Sequence, residues 1–121
     1  MCTTANAAIF TVTFTVPFTW HHVFIGSDAN TTTGYRVPEI SSGLGADFMV
    51  ENDTLYRSTG SQWGWAALGG DSPLLSRTSG TYRWRVPLNV VGGPGKPLQV
   101  VFNGSGSGSE AYTPVLTARP C

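Results

Sequence analysis

The sequence predicts an all-β fold, an antiparallel β-sandwich of about eight or nine short strands. Three observations carry this. Apolar and polar residues alternate at period two over residues 9–16 and 81–87. Turn residues (Gly, Pro, Asn, Asp) punctuate the chain at the ~8–12-residue spacing of a sandwich. Nowhere do apolar residues recur at i, i+3, i+4 and i+7, the pattern of an amphipathic helix. An opened barrel is the alternative way to arrange the same strands.

The elements follow in order. Over residues 9–16, Phe10, Val12, Phe14 and Val16 form one face and Thr11, Thr13 and Thr15 the other, and Pro17 ends the strand. Residues 20–25 form the next strand and 27–34 a polar loop. Residues 35–37 are a short strand stopped by Pro38, and 41–45 a Gly-rich turn. Residues 46–51 and 54–58 pair as a tight hairpin around Asn52-Asp53, which tolerate left-handed φ. Gly60-Ser61-Gln62 leads into a strand at 63–68, and 69–73 is a loop. Over 81–87, Tyr82, Trp84 and Val86 share the face expected in the core, with Arg83 and Arg85 in solvent. Residues 92–95 are an irregular connection, 98–102 a Val-rich strand, 104–109 a Gly-Ser loop and 112–118 the closing strand. The Gly-Ser loop is short and a strand follows it, so residues 1–121 read as a single domain.

Charged residues are only 12% of the chain and the net charge is zero. A lone lysine, Lys96, accompanies the arginines. Such a chain has no basic field for nucleic acid or an anionic membrane, so neither is expected as a partner. Nor does any run reach the ~18 apolar residues of a membrane span. Thr, Ser, Gly and Asn fill the surface instead, which suits a neutral polar ligand. No signal peptide is evident, and Met1 reads as a start codon added to a mature or excised domain.

The only cysteines are Cys2 and Cys121, at opposite ends. They lack the local spacing of a metal or redox pair, so a disulfide stapling the terminal strands is expected. A staple of that span contributes about 4 kcal/mol in the chain-entropy description. Asn30, Asn52 and Asn103 begin Asn-x-Ser/Thr sequons, which mark a secreted glycoprotein if used and arise by chance in Thr/Ser-rich chains if not.

Trp63 and Trp65 are two apart, so in a strand both rings project from one face. They form either part of the core or a platform on which sugar rings stack. Gly64 between them weakens a core strand and leaves room for a close approach from the opposite face. Tyr35 and Tyr56 flank polar loops as rim contacts. His21 and His22 point to opposite faces of a strand and cannot easily share a metal. Asp28 and Asn30 read as an Asx-type turn, since a Ca²⁺ site needs more oxygen ligands than they supply. No metal or cofactor is expected. Gly104-Ser105-Gly106-Ser107-Gly108 spells the nucleophile-elbow string without a following helix. A glycosidase pair would come from Asp47, Glu51, Asp71 or Glu110, and the sequence singles out no two of them. No catalytic activity is expected, though a carboxylate pair converging in a cleft would favour a small hydrolase.

Residues 20–65 carry a recurring set of short motifs: Phe24-Ile25-Gly26-Ser27-Asp28, Thr33-Gly34-Tyr35, Leu44-Gly45-Ala46-Asp47-Phe48, Leu55-Tyr56 and Trp63-Gly64-Trp65. This set resembles the DOMON-like and family 9-like carbohydrate-binding β-sandwiches, accessory domains of secreted microbial proteins. Gly26 stands where that pattern has its first acidic residue, so a calcium site is not carried over. More weakly, residues 98–106 are similar to the Phe-Asn strand and loop of starch-binding modules, without the Trp-Asp that follows there.

The resulting expectation is a secreted, monomeric, non-catalytic module. It binds a polysaccharide or oligosaccharide through Trp63, Trp65, Tyr56 and Tyr35. The competing expectation is a secreted structural, adhesion or protein-interaction sandwich with its aromatics in the core.

Overall fold

A computed structural model of the chain describes residues 1–27, 33–37, 43–60, 62–92 and 97–121. The strands are β1 (Cys2–Thr3), β2 (Ala7–Thr13), β3 (Trp20–Gly26), β4 (Tyr35–Arg36), β5 (Gly45–Ala46), β6 (Phe48–Glu51), β7 (Thr54–Ser58), β8 (Trp65–Ala67), β9 (Leu74–Thr78) and β10 (Thr81–Pro87). A single helical turn, α1 (Leu88–Val91), precedes β11 (Gln99–Ser105), β12 (Ala111–Tyr112), β13 (Leu116–Thr117) and β14 (Arg119–Pro120). One sheet runs β14-β1-β2-β10-β9 and the other β12-β11-β3-β6-β7-β8, with β13 also on β11. Pairing is antiparallel except for β1 against β14. The two sheets pack as a sandwich, and β4-β5 is a separate small ribbon.

The core between the sheets is the alternating face of each strand. Phe10, Tyr82, Trp84 and Val86 come from the first sheet and Val23, Ile25, Val50, Val100 and Phe102 from the second. Arg83 and Arg85 face solvent, as their position opposite Tyr82 and Trp84 predicts. Fully burying each large apolar side chain contributes about 1.5–3 kcal/mol. His21 also points inward, stacked on Tyr82 with ring centroids 4.3 Å apart. Its backbone N–H and Nδ1 both reach the Asn52 Oδ1, at 2.9 and 3.0 Å.

The second sheet has a further apolar layer on its outer face. Phe24, Met49 and Val101 pack there under Val37, Leu44 and Ala46. Strand β3 is therefore buried on both faces from His21 to Gly26. His21 and His22 fall on opposite faces, as adjacent strand residues must.

The termini are joined. Cys2 and Cys121 form a disulfide with Cα atoms 4.8 Å apart, and the Cys121 N–H donates to the Thr3 carbonyl at 2.9 Å. The predicted staple is present and sets β1 beside β14. Such a bond persists in an oxidising environment.

Several boundaries differ from expectation, each for a local reason. Strand β2 stops at Thr13 because the chain bends before Pro17, which leaves Val16 exposed instead of inside. The strand expected at 46–51 breaks at Asp47, whose carboxylate accepts the Ser27 N–H and hydroxyl, both at 3.0 Å. The closing segment is three short strands, interrupted around Pro114, which has no N–H to pair. Strand β11 runs on through Gly104 into the supposed Gly-Ser loop. The Phe18 ring lies where a side chain at Gly104 would be, 2.6 Å from Cε2. Strand β9 was not expected, since four of its five residues are exposed and it shows no apolar alternation. It turns into β10 at Ser79-Gly80, both at positive φ.

Asn52 has φ 53°, as the tight hairpin requires. Two sequon asparagines hold structure. Asn103 is only 2% exposed, so its sequon is not open to glycosylation in the folded domain, and Asn52 caps His21. Asn30 and the Asp28/Asn30 turn lie outside the described residues.

Candidate functional site

A strand's even and odd residues part to opposite faces. In β3 this sends Trp20, His22 and Phe24 outward while His21, Val23 and Ile25 go to the core. Register then builds rows across the neighbouring strands. Glu51, His22, Asn103 and Tyr112 are direct cross-strand partners on β6, β3, β11 and β12. The next row is Tyr56, Met49, Phe24 and Val101. A polar row thus borders an apolar one on the outer face.

The polar row is hydrogen-bonded end to end. His22 Nε2 lies 2.8 Å from Glu51 Oε2, and Nδ1 lies 2.7 Å from Asn103 Oδ1. The Asn103 amide N–H groups face the Ala111 carbonyl at 2.9 Å and the Gly104 carbonyl at 3.3 Å, so its oxygen must face His22. Both ring nitrogens of His22 are therefore engaged, Nδ1 by the Asn103 side-chain oxygen and Nε2 by the Glu51 carboxyl. Asn103 also approaches Glu110 Oε1 at 3.4 Å, and the Tyr112 hydroxyl donates to that oxygen at 2.8 Å.

Aromatic rings surround this row. Trp63 sits in the bend before β8 and is 54% exposed. Its ring meets Tyr35 edge-on at 5.0 Å, Trp65 at 5.6 Å and His22 at 6.0 Å. Trp20, 44% exposed, contributes a second open indole. Together they border a cleft of about 440 Å³ that Glu51, Asn103, Glu110 and Tyr112 also line. Neither lysine nor arginine is among its described lining residues. Burial pushes the Tyr35 phenol above its ordinary value, and the Glu110 carboxylate adds to the shift, which places that charge within reach of Tyr35.

The four sequence-predicted residues divide into two pairs. Trp63 and Tyr35 line the cleft. Trp65 and Tyr56 are half-buried in the apolar layer and support it. The buried Trp65 indole nitrogen meets no acceptor among the described residues. The two tryptophans are neighbours in space, but not by sharing a strand: β8 begins at Trp65 and the chain bends at Trp63. What approaches Gly64 closely is the Thr59 side chain, and Thr59 N–H also donates to the Gly64 carbonyl at 2.9 Å. Sequence reasoning missed Trp20, His22, Asn103 and Tyr112 as cleft residues. The alternation of Trp20, His22 and Phe24 was the available signal. Among the described residues, no three His, Cys, Asp or Glu side chains gather as metal ligands.

Fold and cleft together define a class: an all-β sandwich with exposed aromatic residues around an acidic, hydrogen-bonded floor. Comparison with protein families, curated proteins and solved structures finds no match for this chain.

Proposed function

We propose that the domain is a non-catalytic carbohydrate-binding module of a secreted protein, acting as a monomer on a polysaccharide or oligosaccharide. The observation that carries this reading is the Trp63 ring, more than half exposed and braced by Tyr35 beside a hydrogen-bonding floor. Apolar C–H faces of a sugar stack on such a ring while its hydroxyls reach polar groups at the rim. The cleft falls in the ~300–1,000 Å³ range of small-molecule sites. A pull-down on insoluble polysaccharides, followed by calorimetry with soluble oligosaccharides, tests it. Binding that weakens in Trp63→Ala supports the module. Binding to no glycan returns the domain to a structural or protein-interaction role.

One observation favours a second reading. Glu51 and Glu110 line the same cleft, and a glycosidase draws on two carboxyl groups flanking the scissile bond. Against it, Glu51 Oε2 is engaged by His22 and Glu110 Oε1 by Tyr112. Release of reducing ends from a bound glycan, abolished by Glu51→Gln, would establish the hydrolase instead.

A further inference from the structure

We propose that the cleft selects a glycan carrying protonated amines, a deacetylated amino sugar, with Glu51 and Glu110 each positioned to receive an ammonium group. This rests on the carbohydrate reading above and specifies its ligand.

The argument begins with charge. The chain as a whole is neutral, yet the cleft holds two carboxylates and no arginine or lysine among its described lining residues. Arg83 and Arg85 project from the first sheet's exposed face, and Arg77 lies over the Tyr82 ring. His22 is the one other basic side chain among the described lining residues, and its two ring nitrogens are spent on Glu51 and Asn103. The charge of Glu110 is therefore unmatched within the cleft.

Hydrogen-bond accounting points the same way. His22 meets Oε2 of Glu51, while Tyr112 and Asn103 both meet Oε1 of Glu110. The second oxygen of each carboxylate has no donor among the described residues. Glu51 is only 23% exposed, and its remaining oxygen opens toward the cleft it lines. An ammonium group brings three N–H donors and no acceptor, which suits an open carboxylate oxygen at either end of the floor. A neutral hydroxyl offers a single donor, and its bond to a carboxylate is weaker than a charge-assisted one from a cation.

The walls favour a cation as well. Trp63, Trp20 and Tyr35 present rings to the cleft, and the negative face of an aromatic ring attracts an ammonium ion. The same rings stack on the sugar's C–H face, so one residue type serves both parts of an amino sugar. A neutral hexose uses the rings and offers the acidic pair only the weaker hydroxyl hydrogen bonds.

The test is calorimetric titration of the intact domain with matched oligomers of glucosamine, N-acetylglucosamine and glucose, under conditions that protonate the amine. Glucosamine oligomers should bind about ten-fold or more tighter than the other two. In Glu110→Gln that preference should fall toward unity. Glu110 is exposed, and an unchanged melting temperature verifies that the variant folds. Equal affinity for all three, or a preference that survives both Glu110→Gln and Glu51→Gln, overturns the amino-sugar assignment and leaves a neutral-glycan module standing. Equal binding of an oligolysine peptide overturns the sugar requirement. Binding of none of the oligomers, with none on a neutral-polysaccharide panel, removes the carbohydrate reading itself.

Discussion

The indole N–H of Trp84 donates to the backbone carbonyl of Asn52 at 2.8 Å, across the sandwich from the first sheet to the hairpin of the second. This bond anchors the turn that presents Glu51 to His22. Trp84→Phe keeps most of the ring but leaves that carbonyl without its partner. The expected cost is about 1–3 kcal/mol in chemical denaturation. Trp84→Ala, which also leaves a cavity, should cost about 3–5 kcal/mol.

Trp63→Ala should behave oppositely. The ring is more than half exposed, so stability should change by less than about 1 kcal/mol. Glycan affinity should fall about ten-fold, from the loss of an aromatic contact. Trp65→Ala removes a ring packed against Phe24 and Tyr35. It should lose at least about 1 kcal/mol more stability than Trp63→Ala. Paired melting and binding curves on both variants check the contrast. If both unfold the domain and neither alters binding, the platform is refuted.

Stability should fall at both ends of the pH scale. Burial against Tyr82 and Phe14 holds the His21 imidazole below its ordinary 6.5, against the opposing hydrogen bond to the Asn52 side-chain oxygen. Below pH 6.5 the unfolded chain binds this proton more readily than the folded one. Stability is therefore present above that pH and lost as pH falls through the lowered folded value. Burial pushes the Tyr82 phenol above 10.0, with Arg77 opposing. Above pH 10.0 the unfolded chain ionises first, so stability is lost as pH rises. Urea unfolding across pH measures both limbs, and His21→Phe should flatten the acidic one.

Opening the terminal disulfide removes a constraint on nearly the whole chain, since the cysteines are 119 residues apart in sequence. Cys2→Ser with Cys121→Ser should lower stability by about 2–5 kcal/mol. Mass spectrometry of the folded wild type without reductant should find no free thiol. Two free thiols would contradict the staple.

Gly34 precedes Tyr35 with φ 72°, and a side chain there would strike the Ala46 backbone carbonyl. Gly34→Ala must therefore shift β4 away from β5 and carry Tyr35 from beneath Trp63. The expected loss exceeds about 1 kcal/mol of stability, with weaker glycan binding. An unchanged Tyr35–Trp63 contact in the variant, seen as an unaltered near-UV circular dichroism spectrum, would refute this coupling.

Residue order alone was enough for the fold class and the staple. Period-two alternation identifies the buried face of β2 and β10, because successive strand side chains must part to opposite sides. Two cysteines leave a single possible intramolecular pairing. Local order also separated His21 from His22. It could not say what either meets. His22 finds Glu51 29 residues away and Asn103 81 residues away, and those meetings depend on the register of three strands. Register is a property of packed sheets, set by which faces bury together, and no short window of sequence contains it. For the same reason Trp63 and Trp65 were legible as neighbours, while their division into an open ring and a half-buried support came only from the apolar layer that closes over β3.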